Sequence, residues 1–138
     1  MRFDRPNAIL LDTNIVIYLT GSTTWKEDYL PLVEGKQFHI SFMTLAELLE
    51  HNYQKRLSER KIQLMVKTLK QDHTILPYSE DICHRFAWIR SERRNKPISV
   101  PDALIAATAL AYDLPLVTHN ARDFEGIDGL EIITKYQV

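Results

Sequence analysis

Short apolar runs alternate with longer helix-spaced segments along this chain. "AILLD" (8–12) is a run of four apolar residues ending on Asp12, with the length and texture of a strand buried on both faces. "NIVIYLT" reads as a helix or turn leaving it, and "FHIS" as a second short strand. From Met43 to about Tyr53, Leu45, Leu48 and Leu49 fall on one helical face. "SERKIQLMVKTLKQD" repeats that spacing through Ile62, Met65, Val66 and Leu69, with Ser58 placed as an N-cap. "HTILP" is a third strand stopped by Pro77, and "SEDICHRFAWIRSERRN" is helical through Ile82, Phe86 and Ile89. "SVPDALIAATALAYD" is a strong helix with Ser99 as N-cap and Pro101 tolerated in the first turn. "LPLVT" and "LEIIT" complete the strands. This alternation predicts an α/β fold, a three-layer α/β/α sandwich around a mainly parallel sheet.

Composition narrows the classes without choosing among them. The 138 residues are 45% hydrophobic and 25% charged, the balance of one ordinary folded domain spanning 1–138. Seventeen Lys and Arg against eighteen Asp and Glu leave a net charge of -1, so a nucleic-acid partner has to be argued from local patches. Cys83 is the only cysteine, which excludes an internal disulfide and a Cys-based zinc site. With four glycines there is no Gly-rich phosphate loop. No stretch approaches the ~20 apolar residues of a membrane span, and the first apolar run is too short for a secretory leader. A cytoplasmic location is expected.

The chemistry lies in four acids. Asp12 ends a strand, where ligands collect in open parallel sheets, although Asp also suits a helix N-cap. Glu47 sits among apolar neighbours in "FMTLAELLEHN", and Thr44 to Glu47 has the spacing of a capping box. Glu50 reads as the solvated acid of that helix. Asp102 opens a helix whose remaining face is small or aliphatic, which places it at the rim of the core, again with capping-box spacing from Ser99. Thr118, Asn120 and Asp123 follow the strand "LPLVT" in what is otherwise a polar turn pinned by Phe124. Taken singly, each has an ordinary structural explanation. Together they follow separate elements that a parallel sheet brings to one edge, and mutual repulsion disfavours that gathering unless cations sit among them. Oxygen ligands with no His or Cys partner suit Mg²⁺ or Mn²⁺, and such sites act on phosphodiesters.

The segments "LLDTNIVIYL", "TLAELLEHN", "PDALIAATAL" and "LVTHNARDFEGIDGLEI", in that order, resemble the PIN-domain family, most closely its VapC-like toxins of prokaryotic toxin–antitoxin pairs. The resemblance covers nearly the whole chain. It implies a metal-dependent endoribonuclease, usually homodimeric, that hydrolyses RNA and leaves a 5′-phosphate, silenced by a VapB-like antitoxin whose tail enters the acidic site. Asp12, Glu47 and Asp102 match the family's acidic set. For the fourth acid, many relatives have Asp where this chain has Asn120, and others use the later acid, as here in Asp123, which is taken as the fourth. Asn120 and Thr118 then assist by hydrogen bonding, Thr13 orients Asp12 or a water, and Asn14 stabilises the loop.

Two basic stretches are candidate RNA contacts: "YQKRLSERK" with Lys67 and Lys70, and "HRFAWIRSERRNK" with Arg90, Arg93, Arg94 and Lys96 leading to the helix of Asp102. Solvated helix faces are the plain alternative. Tyr53 and Trp88 are candidate base-stacking residues, Trp88 competing with a core role. His119 is expected to face solvent. Leu57, Leu64 and Met65 are candidates for an antitoxin groove. Three rivals remain: a PIN nuclease that is not a toxin, a haloacid-dehalogenase-like phosphatase, which needs a second Asp where Asn14 stands, and a PIN-like module that binds RNA or a partner without cutting.

Overall fold

The computed structural model describes residues 7–21 and 24–135. In chain order the elements are β1 (Ala8–Leu11), α1 (Thr13–Thr20), α2 (Thr24–Val33), β2 (Gln37–Ser41), α3 (Phe42–Gln54), α4 (Glu59–Asp72), β3 (Thr74–Leu76), α5 (Glu80–Glu92), α6 (Val100–Tyr112), β4 (Leu116–Val117), α7 (Ala121–Phe124) and β5 (Ile132–Ile133). The five strands form one sheet in the order β3-β2-β1-β4-β5, and every pairing is parallel. All four residues of β1 are buried, as its unbroken apolar run requires of a central parallel strand. Their side chains alternate between layers: Ile9 and Leu11 join a core with Ile15, Tyr29, Val33 and Leu69, while Ala8 and Leu10 join one with Ile82, Ile89, Ile105 and Phe124. Helices therefore cover both faces, and the expected three-layer α/β/α sandwich is what forms.

The chain steps from β1 outward through β2 to β3, then crosses back to place β4 on the other side of β1. The strand order thus reverses between β1 and β4. Open parallel sheets form a crevice beyond the carboxyl ends of their strands at such a point. Leu11 pairs with Val117, and the Asp12 N–H donates to Val117 O at 2.9 Å. Continuing that register by one residue sets Asp12 beside Thr118.

Two local readings change. The stretch 21–36 carries no predicted element, yet α2 occupies most of it. Its helical signal is faint because only Tyr29 and Val33 are buried and Pro31 lies inside it. An interior proline costs about 3 kcal/mol, and the complete burial of both anchoring side chains offsets this. The helix α3 also starts earlier than Met43. Ser41 is at once the last strand residue and the N-cap, its Oγ accepting from the Met43 N–H at 3.0 Å. Thr44 is therefore a buried first-turn residue, not a cap, and Glu47 lies beyond the first turn. The capping-box explanation of Glu47 does not hold.

Candidate active site

Asp12 is the centre of the polar cluster at the switch point. It is 5% exposed and caps α1, with Oδ1 accepting from the Thr13 N–H at 2.8 Å. Its Oδ2 accepts from Thr118 Oγ1 at 2.7 Å, and that same hydroxyl oxygen receives the Asn120 N–H at 3.0 Å. The capping role and the delivery of a carboxylate to the edge thus coexist in one side chain. Burial pushes the Asp12 carboxyl up to about 6. The hydrogen bonds from Thr118 and Thr13 oppose that rise, and the charges of Asp102 and Glu47 add to it.

Glu47 projects from α3, half-buried, and its Oε1 accepts from Thr13 Oγ1 at 2.7 Å. Thr13 Oγ1 also lies 3.0 Å from Thr44 Oγ1. Thr13 was expected to orient Asp12 or a water. Its main-chain N–H does bond Asp12, and its hydroxyl orients Glu47 as well. Asp102 sits in the first turn of α6, where its own N–H donates to the Ser99 hydroxyl at 3.2 Å. Burial raises its pKa, the Ser99 side chain lowers it, and the charge of Asp123 raises it again.

These influences form a chain: Glu47 acts on Asp12, Asp102 on Asp12, and Asp123 on Asp102. Four carboxylates carried by α3, the β1–α1 junction, α6 and α7 therefore share one neighbourhood. Asp123 is its exposed member, and Asn120 occupies the N-cap position of α7 without a side-chain capping bond. Asn14 lies half-buried in the first turn of α1. Among the described residues, no three His, Cys, Asp or Glu side chains converge tightly enough to enclose an ion by themselves. The donor set nevertheless suits a hard cation. It is all oxygen, part of it is desolvated, and it carries self-repulsion that a positive charge would relieve. Mg²⁺ typically takes one or two carboxylates and keeps several waters, so it does not need a closed protein cage.

The Arg93 guanidinium donates to Asp123 O at 3.2 Å and to Glu125 O, and Lys96 Nζ donates to Arg122 O at 2.7 Å. Both side chains fasten the main chain around Asp123. Arg94 is exposed. Trp88 and Tyr53 are also exposed, Trp88 on α5 and Tyr53 six residues beyond Glu47 on α3, about 9 Å along the axis.

His119 does not face solvent as expected. It is half-buried, with Nδ1 2.7 Å from the Tyr29 hydroxyl and ring-centroid distances of 4.4 Å to Trp25, 5.6 Å to Tyr18 and 5.7 Å to Tyr29. This aromatic group went unseen because α2 did. Recognising α2 would have put Trp25 and Tyr29 one turn apart on a single face.

The model of the PIN domain matches residues 9–130. The chain belongs to the PIN domain family. A PIN-domain relative, "Ribonuclease VapC1" of Haemophilus influenzae strain R2866, is 31% identical over 126 residues, 88% of this chain and 93% of that protein. The "tRNA(fMet)-specific endonuclease VapC" of Shigella flexneri is 30% identical over 124 residues, 88% of this chain and 92% of that one. Among solved PIN-like structures, a "Toxin-antitoxin complex from Klebsiella pneumoniae" superposes with a TM-score of 0.72 at 29% identity, covering 94% of this chain and 99% of that chain. No helix among the described residues is long and apolar enough to cross a membrane.

Proposed function

We propose that this protein is a Mg²⁺- or Mn²⁺-dependent endoribonuclease, the toxin of a toxin–antitoxin pair. The observation that carries the reading is the gathering of Asp12, Glu47, Asp102 and Asp123 at the sheet's switch point, with Asp12 buried and held near 6. Family membership and the ribonuclease names of the relatives support the nuclease chemistry. A divalent cation held among these four carboxylates would neutralise charge at the scissile phosphate and lower the pKa of the attacking water.

The chain's own residues set the geometry for that reaction. Thr118 and the Thr13 N–H fix both oxygens of Asp12, so the carboxylate enters the reaction pre-oriented. Thr13 does the same for Glu47, while Arg93 and Lys96 hold the loop that brings Asp123 to the edge. His119 is held by Tyr29 in the aromatic group, so the carboxylate cluster itself carries the proton chemistry.

RNA cleavage with Mg²⁺ or Mn²⁺ should be lost in EDTA and in both Asp12→Asn and Asp102→Asn. Undiminished cleavage in all three conditions would remove the metal mechanism. A protein that binds RNA without cutting it under any of these conditions would instead be a silent binding module. Thr118→Val, which takes one hydrogen bond from a carboxylate, should lower cleavage about 10- to 100-fold, since such bonds contribute roughly 1.5–3 kcal/mol. A KM change with kcat intact would show that Thr118 serves binding instead.

The toxin assignment draws on the likeness to a toxin–antitoxin complex. An apolar groove of about 320 Å³ between α1, α3 and α4, lined by Val16, Leu48, Leu64 and Met65, is the proposed antitoxin seat. Within it the Asn52 amide nitrogen is buried and lacks a hydrogen-bond partner, so an occupant offering an acceptor would satisfy it. Leu57, also a candidate, does not line this groove. A homodimer remains part of the proposal, with exposed Trp88 and Val100 as apolar surface on α5 and α6.

A further inference from the structure

Beside the acidic cluster stands a patch of aromatic rings that the carboxylate chemistry does not use. Tyr18 and Trp25 stack with centroids 5.8 Å apart and planes 28° from parallel. His119 meets Trp25 at 4.4 Å and stands edge-on to Tyr18, at 5.6 Å and 85°. Below them Tyr29 is completely buried, and its hydroxyl lies 2.7 Å from His119 Nδ1. Tyr29 serves the core. Tyr18, Trp25 and His119 each keep part of their surface in solvent.

The group is tied to the acids by covalent neighbours. His119 directly follows Thr118, whose hydroxyl holds Asp12, and Tyr18 lies on the helix that Asp12 caps. The Tyr18 phenol responds to the site as well: burial raises its pKa first, and the Tyr29 and Asp12 groups add to that rise.

The surroundings indicate what such a patch would hold. The adjoining site carries four acids, which a bound cation neutralises only locally, so the phosphates on either side of the cut gain little from it. Arg93 and Lys96, beside Asp123, are engaged by loop carbonyls, and Lys26, exposed next to Trp25, is one cation at the patch itself. Uncharged contacts would add to what so few charges supply toward a polyanion. Unpaired RNA bases supply them by stacking on Tyr, Trp and His rings, a contact that tolerates any base. We propose that Tyr18, Trp25 and His119 form a stacking site for an unpaired nucleobase flanking the scissile phosphate. This rests on the ribonuclease reading and adds that the substrate is single-stranded where it is cut, with binding carried by stacking as well as by phosphate contacts.

Fluorescence tests this, first with the patch intact. In the full chain carrying Asp102→Asn, to prevent cleavage, and Trp88→Phe, Trp25 is the only tryptophan. An end-labelled oligoadenylate of eight nucleotides, about the span of one single-strand site, is titrated while Trp25 emission and label anisotropy are both followed. The expected result is saturable quenching of Trp25 that tracks the anisotropy, and none from an abasic ribose-phosphate chain of equal length. Tyr18→Leu should weaken oligoadenylate binding about tenfold, as loss of one stacking partner does, while Tyr18→Phe should retain it. Anisotropy that rises with no change in Trp25 emission would overturn the stacking site and leave the ribonuclease reading standing. Equal quenching by the abasic chain would overturn it too. Wild-type protein that neither binds nor cleaves RNA with Mg²⁺ or Mn²⁺ removes the ribonuclease reading, and the stacking site with it.

Discussion

Asp12→Asn is expected to abolish cleavage, by about 10³-fold or more given the several kcal/mol that cation-assisted charge stabilisation supplies, and yet to make the metal-free protein more stable. The Asp12 carboxyl titrates near 6 in the folded protein against 3.8 in a free chain. Below pH 3.8 it is protonated whether or not the chain is folded, and burying it carries no charge penalty. Between these values folding takes up a proton. Above pH 6 the folded state must hold the buried charge, and stability is lower by the full difference, about 3 kcal/mol. Asp102 shifts in the same direction. Urea unfolding in EDTA should therefore show Asp12→Asn more stable than wild type by about 2 kcal/mol at pH 7.5, the remainder being lost because an amide cannot accept from both Thr118 and the Thr13 N–H. At pH 4, where the charge penalty has nearly vanished and the lost hydrogen bond remains, the gain should be gone and the variant slightly the less stable. Equal stability of the two proteins at pH 7.5 would mean that Asp12 is not strained. Divalent cation should then stabilise wild type more than the variant, because binding to the folded state alone adds stability by mass action.

That strain explains why the acids were readable and their surroundings were not. A carboxylate at the end of an apolar run, or at the start of an all-aliphatic helix, contradicts the local pattern, and contradictions show in a single sequence. The strands were legible for the same reason, since β1 and β4 are buried on both sides and read as unbroken apolar runs. The helix α2 was not legible. Its place depends on two buried anchors and on contacts with α1, and Pro31 conceals what periodicity there is. With it went the aromatic group, because Tyr18, Trp25 and His119 meet only after α1, α2 and the end of β4 have come together. The roles of Arg93 and Lys96 were hidden differently. A cation bound to a distant main-chain carbonyl leaves no trace in spacing, so a run of Lys and Arg looks alike whether it faces phosphate or fastens a loop. Thr44 shows the converse risk: a motif spacing was present, but the strand ran straight into the helix and moved the cap to Ser41.

Ile105→Ala should produce the largest loss of stability with the least direct effect on chemistry. Ile105 is fully buried on α6, one turn beyond Asp102, among small neighbours that include Ala103, Ala106 and Ala109. Those alanines let α6 lie close to the sheet and to α5, where tightly packed side chains such as Leu10, Ile82, Ile89 and Phe124 have little freedom to shift into a new void. Removing a buried Ile side chain costs about 2–5 kcal/mol, and the upper part of that range applies where neighbours cannot collapse inward. A loss of about 4 kcal/mol is expected in urea unfolding. Asp102 is held by the first turn of α6 and the Ser99 cap, not by the Ile105 side chain. Cleavage by the folded protein at low temperature should therefore persist, and the thermal midpoint should fall by more than 10 °C on the usual scaling for chains of this size. A variant that stays stable but loses cleavage would show instead that Ile105 positions Asp102, tying the core of α6 directly to the acidic edge.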